Sequence, residues 1–135
     1  MKKIILSIFT LALFAGCDAI KPQNGIVKLG SHTWRLSSIE HKAVTAKGVA
    51  YLEFDEEERE IEGKAFCNSI SAEYERMGDD QITFQEVTST KMFCDGVMDL
   101  ESQMISSLKN VRRFEIRNGI LYLSDSDKVL LTFKK

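Results

Sequence analysis

The chain has 135 residues, of which 44% are hydrophobic and 28% charged, and its formal net charge is −2. Such a length supports one domain with a real core and hardly two. The slightly acidic balance, with no basic patch interleaved with aromatics, argues against a nucleic-acid partner, and no internal repeat or low-complexity segment divides the sequence.

The first element in chain order is a targeting signal. Lys2 and Lys3 precede an almost unbroken apolar run, Ile4 to Ala15, that ends in small residues. This is the layout of a secretory signal peptide, and the run falls short of the roughly 18 apolar residues a transmembrane helix needs. Ala15-Gly16-Cys17 resembles the lipobox of bacterial lipoproteins, with Phe14 in place of the usual leucine and Leu13 beside it. The resemblance implies removal of residues 1–16, acylation of the Cys17 thiol, and a protein anchored by lipid to a membrane of the bacterial cell envelope, facing the periplasm. Each buried acyl methylene contributes about 0.8 kcal/mol, so two or more chains hold stably where one does not. Asp18 resembles the cue that retains such proteins on the inner membrane of enteric bacteria. Removing 16 residues from 135 leaves 119 and takes away two lysines and no acid, so the mature chain sets 16 bases against 20 acids. Residues 17–29 contain the only proline, Pro22, and read as a tether to a domain over 30–135.

Within that domain, short alternating runs dominate. In "GVAYLEFD" Ala50, Leu52 and Phe54 face one way, and Tyr51, Glu53 and Asp55 the other. "ISAEYE", "QITFQE", "RRFEIRN", "GILYLSD" and "KVLLTFK" repeat the pattern, separated by turn signals at Gly78-Asp79-Asp80, Asn118-Gly119 and Asp125-Ser126-Asp127. Asn118-Gly119 predicts a type I′ hairpin, whose two central residues need positive φ. "DEEERE", Asp55 to Glu60, reads as a solvated turn between strands; it lacks the spaced acids and central glycine of a calcium loop. From Asp95 to Asn110 the period changes. Val97, Leu100, Met104, Ile105, Leu108 and Val111 recur at spacings of three and four, with Asp99, Glu101, Ser102, Gln103, Ser106 and Lys109 between them. That predicts one amphipathic helix with Asp95 as its N-cap and its methionines as core filler. The expected fold is α+β: a small, strongly bent antiparallel sheet or barrel, with the helix plugging or covering one opening.

"GSHTWRLSSIE", "AYLEFD", "IEGKAFCNSISAEYE", "TSTKMFC", the helix and "GILYLSDSDKVLLTF" together resemble the META domain family from about Gly30 to Phe133. The most specific parts are the Trp-x-Leu start at Trp34, Cys67-Asn68 with Tyr74 downstream, and Met92-x-Cys94 before the helix. The resemblance implies a small β-barrel with one helix, often in an envelope lipoprotein, and links to heat stress, antibiotic tolerance and motility. It makes Trp34, Asn68 and Tyr74 signature residues. The family pattern has glycine where this chain has Phe66 and Ala72, and a small residue where it has Phe93. The two positions where the family pattern has glycine, Phe66 and Ala72, are therefore expected to be relaxed.

With Cys17 consumed by lipid, Cys67 and Cys94 remain as one pair in an oxidising compartment, and a Cys67–Cys94 disulfide is expected. The alternative is two free, buried thiols behaving as small hydrophobes. His32 and His41 could join the cysteines, but the spacing matches no zinc pattern and no Cys-x-x-Cys occurs, so no metal is expected. Trp34 reads as a core or rim anchor. Neither Gly-x-Ser-x-Gly, a phosphate loop, a dinucleotide fingerprint nor His-Glu-x-x-His is present. No catalytic residue and no cofactor is expected. Three functions follow as alternatives: a non-enzymatic anchored protein that binds a protein or envelope component, a carrier of a small apolar ligand, and an uncharacterised hydrolase. The carrier needs an apolar cavity of about 300 Å³ between sheet and helix. The hydrolase needs a cleft of converging titratable groups, and the binding protein an exposed apolar patch.

Overall fold

Alternation of apolar and polar residues builds a nine-stranded antiparallel sheet in the computed structural model, which describes residues 28–46 and 48–135. The strands are β1 (Trp34–Ile39), β2 (Lys42–Ala43), β3 (Val49–Asp55), β4 (Glu60–Phe66), β5 (Asn68–Met77), β6 (Gln81–Ser89), β7 (Arg113–Arg117), β8 (Ile120–Ser124) and β9 (Val129–Lys134), with helix α1 (Met98–Asn110) between β6 and β7. Strands β3 to β9 pair in sequence, β1 pairs with β3, and β9 returns to pair with β1, so the sheet closes on itself as a ring; β2 is a short hairpin extension of β1. The expected α+β class and bent antiparallel sheet are what the structure shows. The Asn118-Gly119 turn has φ of 54° and 75°, both positive as a type I′ turn requires.

One face of each strand fills the ring. Trp34, Leu52, Ile61, Leu121, Leu123, Leu131 and Phe133 are completely shielded from solvent. Trp34 directs its indole N–H to the Leu29 carbonyl at 2.8 Å, so Leu29, the last residue of the predicted tether, is already part of the core. Tyr74 packs edge-on to Phe54 and near Phe84, donates its hydroxyl to the Asp55 carbonyl at 3.1 Å, and has its phenol pushed above the ordinary tyrosine value by burial. At the acidic turn, the Asp55 carboxylate accepts from the Glu57 and Glu58 amides at 2.8 and 3.0 Å.

Tight coiling brings β3 and β4 into close contact at Gly63. A Cβ at that position would lie 2.1 Å from the Tyr51 carbonyl oxygen and 3.2 Å from Leu52 Cα, both backbone atoms that cannot swing aside. Gly63→Ala is therefore expected to destabilise the domain by about 2–3 kcal/mol. The urea midpoint should fall with the slope of the transition unchanged; an unaltered midpoint would mean that the two strands separate freely there.

Where β6 meets β7 the ring is thinnest, with the single ladder pair Gln81↔Arg113 flanked by bonds from Ile82 N–H to the Arg112 carbonyl (3.1 Å) and from Phe114 N–H to the Asp80 carbonyl (2.8 Å). Helix α1 runs from one end of the ring to the other between these strands and packs on β4, β6 and β9, burying Met104, Leu108 and the flanking Val97 and Val111. Met104 is core filler, as the spacing predicted. The helix begins at Met98, not after Asp95, and Val97 occupies the N-cap position with no side-chain cap. Asp95 is kept out of the helix by Gly96, whose φ is 80°. Asp99 and Glu101 supply the negative charge in the first turn instead.

Candidate functional site

The sequence-predicted residues Cys67, Asn68 and Cys94 meet where β4 turns into β5 beneath the first turn of α1. The turn itself is tight: Ala65 pairs with Asn68 across it, and the Cys67 N–H bonds back to the Ala65 carbonyl at 2.8 Å. Phe66, at the centre, has a φ of 65°. A turn closed by an i to i+2 bond around a positive φ is strained for any residue but glycine. This corrects the expectation drawn from the family pattern: Phe66 is not relaxed, but retains the conformation for which glycine is suited. Its ring is buried in compensation, and Gly48 lies against it. Ala72 and Phe93, by contrast, do not have positive φ.

The strained turn points two successive backbone amides inward, and Glu101 of α1 receives both. One carboxylate oxygen accepts from Cys67 N–H at 3.2 Å and from Asn68 N–H at 2.8 Å, and the other accepts from the Asn68 side-chain amide. Glu101 is only 4% exposed and takes no part in the ion pairs among the described residues. Three N–H donors therefore stand in for a cation around a buried acid. Asn68, 1% exposed, uses its whole side chain: its amide N–H also donates to the Met92 carbonyl at 3.0 Å, while its oxygen accepts from Met92 N–H and the Thr90 hydroxyl, each at 2.7 Å. In effect the amide adds one residue's worth of strand pairing to the loop after β6. The Cys67–Cys94 disulfide, across a Cα separation of 5.8 Å, fastens the same loop two residues later. No buried side-chain nitrogen or oxygen among the described residues lacks a partner.

This doubly fastened loop carries two large apolar side chains into solvent. Phe93 is 80% exposed and Met92 60%, and Val49, which pairs with Phe66 at the same end of the ring, is 48% exposed. Trp34 and Tyr74 are not brought to this place; both serve the core described above. Cys17 lies outside the described residues. Glu101 was missed because a glutamate among serines and glutamines reads as a solvated helix face. Its position in the stripe Val97, Glu101, Met104, Leu108, at spacings of four, three and four, was the available signal. The ring interior, where an apolar ligand would sit, is occupied by packed side chains. The depression of about 300 Å³ between α1 and β1 is lined by Ile39 and otherwise by polar residues, among them Glu40, Gln103 and Ser107.

A ring-like antiparallel sheet spanned by one helix, with a disulfide and a buried Asn–Glu clamp fixing an apolar loop, defines the structural class. The META domain model matches residues 27–135, and the chain belongs to the META domain family. No curated protein matches the sequence. Among solved structures, one NMR structure is 26% identical, with a TM-score of 0.62 over 78% of this chain and 90% of the other. An NMR structure of a protein from Burkholderia xenovorans, 19% identical, has a TM-score of 0.64 over 78% of this chain and 82% of its own. The crystal structure of a DUF4847 family protein from Bacteroides vulgatus, 14% identical, has a TM-score of 0.59 over 78% and 93%. The last two likenesses concern the fold alone.

Proposed function

We propose that this META domain protein is a non-enzymatic, lipid-anchored component of the bacterial cell envelope that supports stress tolerance by binding an envelope protein or other envelope component. The exposure of Phe93 and Met92 on a loop held by a covalent bond and a buried clamp carries this reading. A flexible loop could fold such residues away; a fastened one keeps them available, and rigid apolar anchors are what binding surfaces use. The Cys17 anchor supplies the address. The chain enters the domain beside Glu56, at the acidic-turn end of β3, while Phe93 stands with Val49 at the other end. The point where the chain enters the domain and the loop are thus separated by the length of a strand, about 20 Å for six or seven residues, so the two lie at opposite ends of β3.

Two variants test the two halves. Cys17→Ala should leave the membrane fraction while remaining folded, and retention on membranes after a salt wash would overturn the anchoring. Met92→Ser combined with Phe93→Ser should leave thermal stability unchanged and abolish the stress tolerance that the wild-type chain restores to a deletion strain. Full restoration by that double variant would overturn the role of the loop.

A further inference from the structure

The outer face of β3–β6 carries a groove that meets the features above only at Gly63 and Thr90. Its volume is about 520 Å³, and Tyr51, Glu53, Glu62, Ser69, Ser71 and Thr88 are among its lining residues. The pairing register explains the lining. Glu53 lies directly across from Glu62, Glu62 from Ser71, and Ser71 from Thr88, so one polar row crosses four strands. At ordinary strand spacing that row is about 14 Å long. Tyr51, half-buried, stands one row further along β3 on the same face. Two irregularities border the groove: the close approach at Gly63, and the β5–β6 bulge between Ser71 and Glu73, where Glu86 has a φ of 48°. Bulges of this kind are common beside binding sites.

Facing glutamates oppose strand pairing, yet no ion pair among the described residues includes Glu53 or Glu62; Lys64, two residues along β4, pairs with neither. Glu53 accepts one hydrogen bond, from the Thr33 hydroxyl at 2.7 Å, and the Ser71 and Thr88 hydroxyls share another at 2.9 Å. What remains is a row of acceptors and hydroxyls beside an aromatic ring. Lys64 and Arg35 stand directly across from Tyr51 on β4 and β1, but neither lines the groove, whose only charged lining residues are the two glutamates. An anionic ligand seated in it would be repelled by those carboxylates, and an apolar one would strip them of water. A metal ion is not suited, since no group of three or more candidate ligands exists among the described residues. A neutral sugar chain meets all the terms: its hydroxyls donate to carboxylates and pair with Ser and Thr, and its C–H face packs on tyrosine. We propose that this groove binds a neutral pyranose oligosaccharide, with Tyr51 as the stacking platform and Glu53 and Glu62 as hydroxyl acceptors. The site shares Thr90 with the Asn68 clamp but includes neither Met92 nor Phe93.

The test is an NMR titration of the full chain in a detergent without a sugar headgroup. The probes are N-acetylglucosamine tetramer and cellotetraose, with tetragalacturonate as the anionic comparison. At least one neutral probe should shift the amides of Tyr51, Gly63, Ser71 and Thr88, with tetragalacturonate several-fold weaker. Tyr51→Ala should weaken binding about tenfold, and Glu62→Gln should relieve the discrimination against the anionic probe; both should keep the wild-type spectrum elsewhere. Absence of shifts up to about 10 mM, shifts outside the groove, equal binding of the anionic probe, or undiminished binding by Tyr51→Ala would each overturn the proposal.

Discussion

Glu101→Ala should destabilise the domain by about 3–4 kcal/mol, the largest effect expected of any single charged residue here. The change takes an acceptor from three buried donors at once, the Cys67 and Asn68 backbone amides and the Asn68 side-chain amide, of which the Cys67 amide keeps its bond to the Ala65 carbonyl. Leaving one buried donor unsatisfied costs about 1–3 kcal/mol. Helix propensity favours alanine slightly over glutamate, so the loss cannot be ascribed to the helix itself. Glu101→Gln separates geometry from charge. It returns one acceptor oxygen but turns an N–H toward the same donors, and should cost less than alanine without restoring the wild type. Equilibrium urea unfolding reads both. Wild-type stability in Glu101→Ala would mean that water or a neighbouring carbonyl takes over the three donors, and the clamp would no longer explain the ordered loop.

Cys67→Ala paired with Cys94→Ala should cost about 3.5 kcal/mol on the chain-entropy account of a 27-residue separation. For a domain of this size that is an appreciable part of the usual 5–15 kcal/mol, and the midpoint of thermal unfolding should fall by about 15 °C. The disulfide and the Glu101–Asn68 clamp fasten one loop from two sides, so their losses should not add. With the disulfide absent, the clamp alone must order residues 90–94, and the cycle combining the double alanine variant with Glu101→Ala should show a coupling of about 1 kcal/mol or more. Thiol titration of the unreduced protein supplies the control. Two reactive thiols in the folded domain would remove the covalent half of this account.

Much of the fold was legible because it rests on period-two patterning. The runs over 48–55, 70–75, 81–86, 112–118, 119–125 and 128–134 all fall on strands, and the 3.6-residue period gave the single helix. Three strands were not singled out by the pattern: β2, which is only two residues long, and the irregular β1 and β4. In β1 the register shifts between Leu36 and Ser38, so Leu36, Ser37 and Ser38 are all half-buried and the alternation blurs. In β4 a glycine stands where an apolar residue would mark the inner face, because Gly63 has no room for a side chain. The helix start was misplaced for a similar reason: a residue held by the disulfide-linked loop looks like an N-cap in the linear sequence.

The candidate site was half legible. Cys67, Asn68 and Cys94 stood out in the sequence, whereas Glu101 did not, since composition makes a glutamate solvent-facing until three donors are placed against it. The outer groove was not legible at all. Tyr51, Glu53, Glu62, Ser71 and Thr88 belong to four strands, and only their register sets them side by side.

By itself the amino-acid order determined the strand and helix periods, the residues that point inward, the hairpin at Asn118-Gly119 and the pairing of the only two cysteines within the domain. Those are local or arithmetical properties, set by side-chain polarity at fixed backbone repeats. Ring closure through β1 and β9, the positive φ forced on Phe66, the burial of Glu101 and the facing glutamates of the groove were decided by the tertiary structure alone. Each depends on which distant backbone amide or strand comes within a few ångströms, and no local pattern encodes that distance.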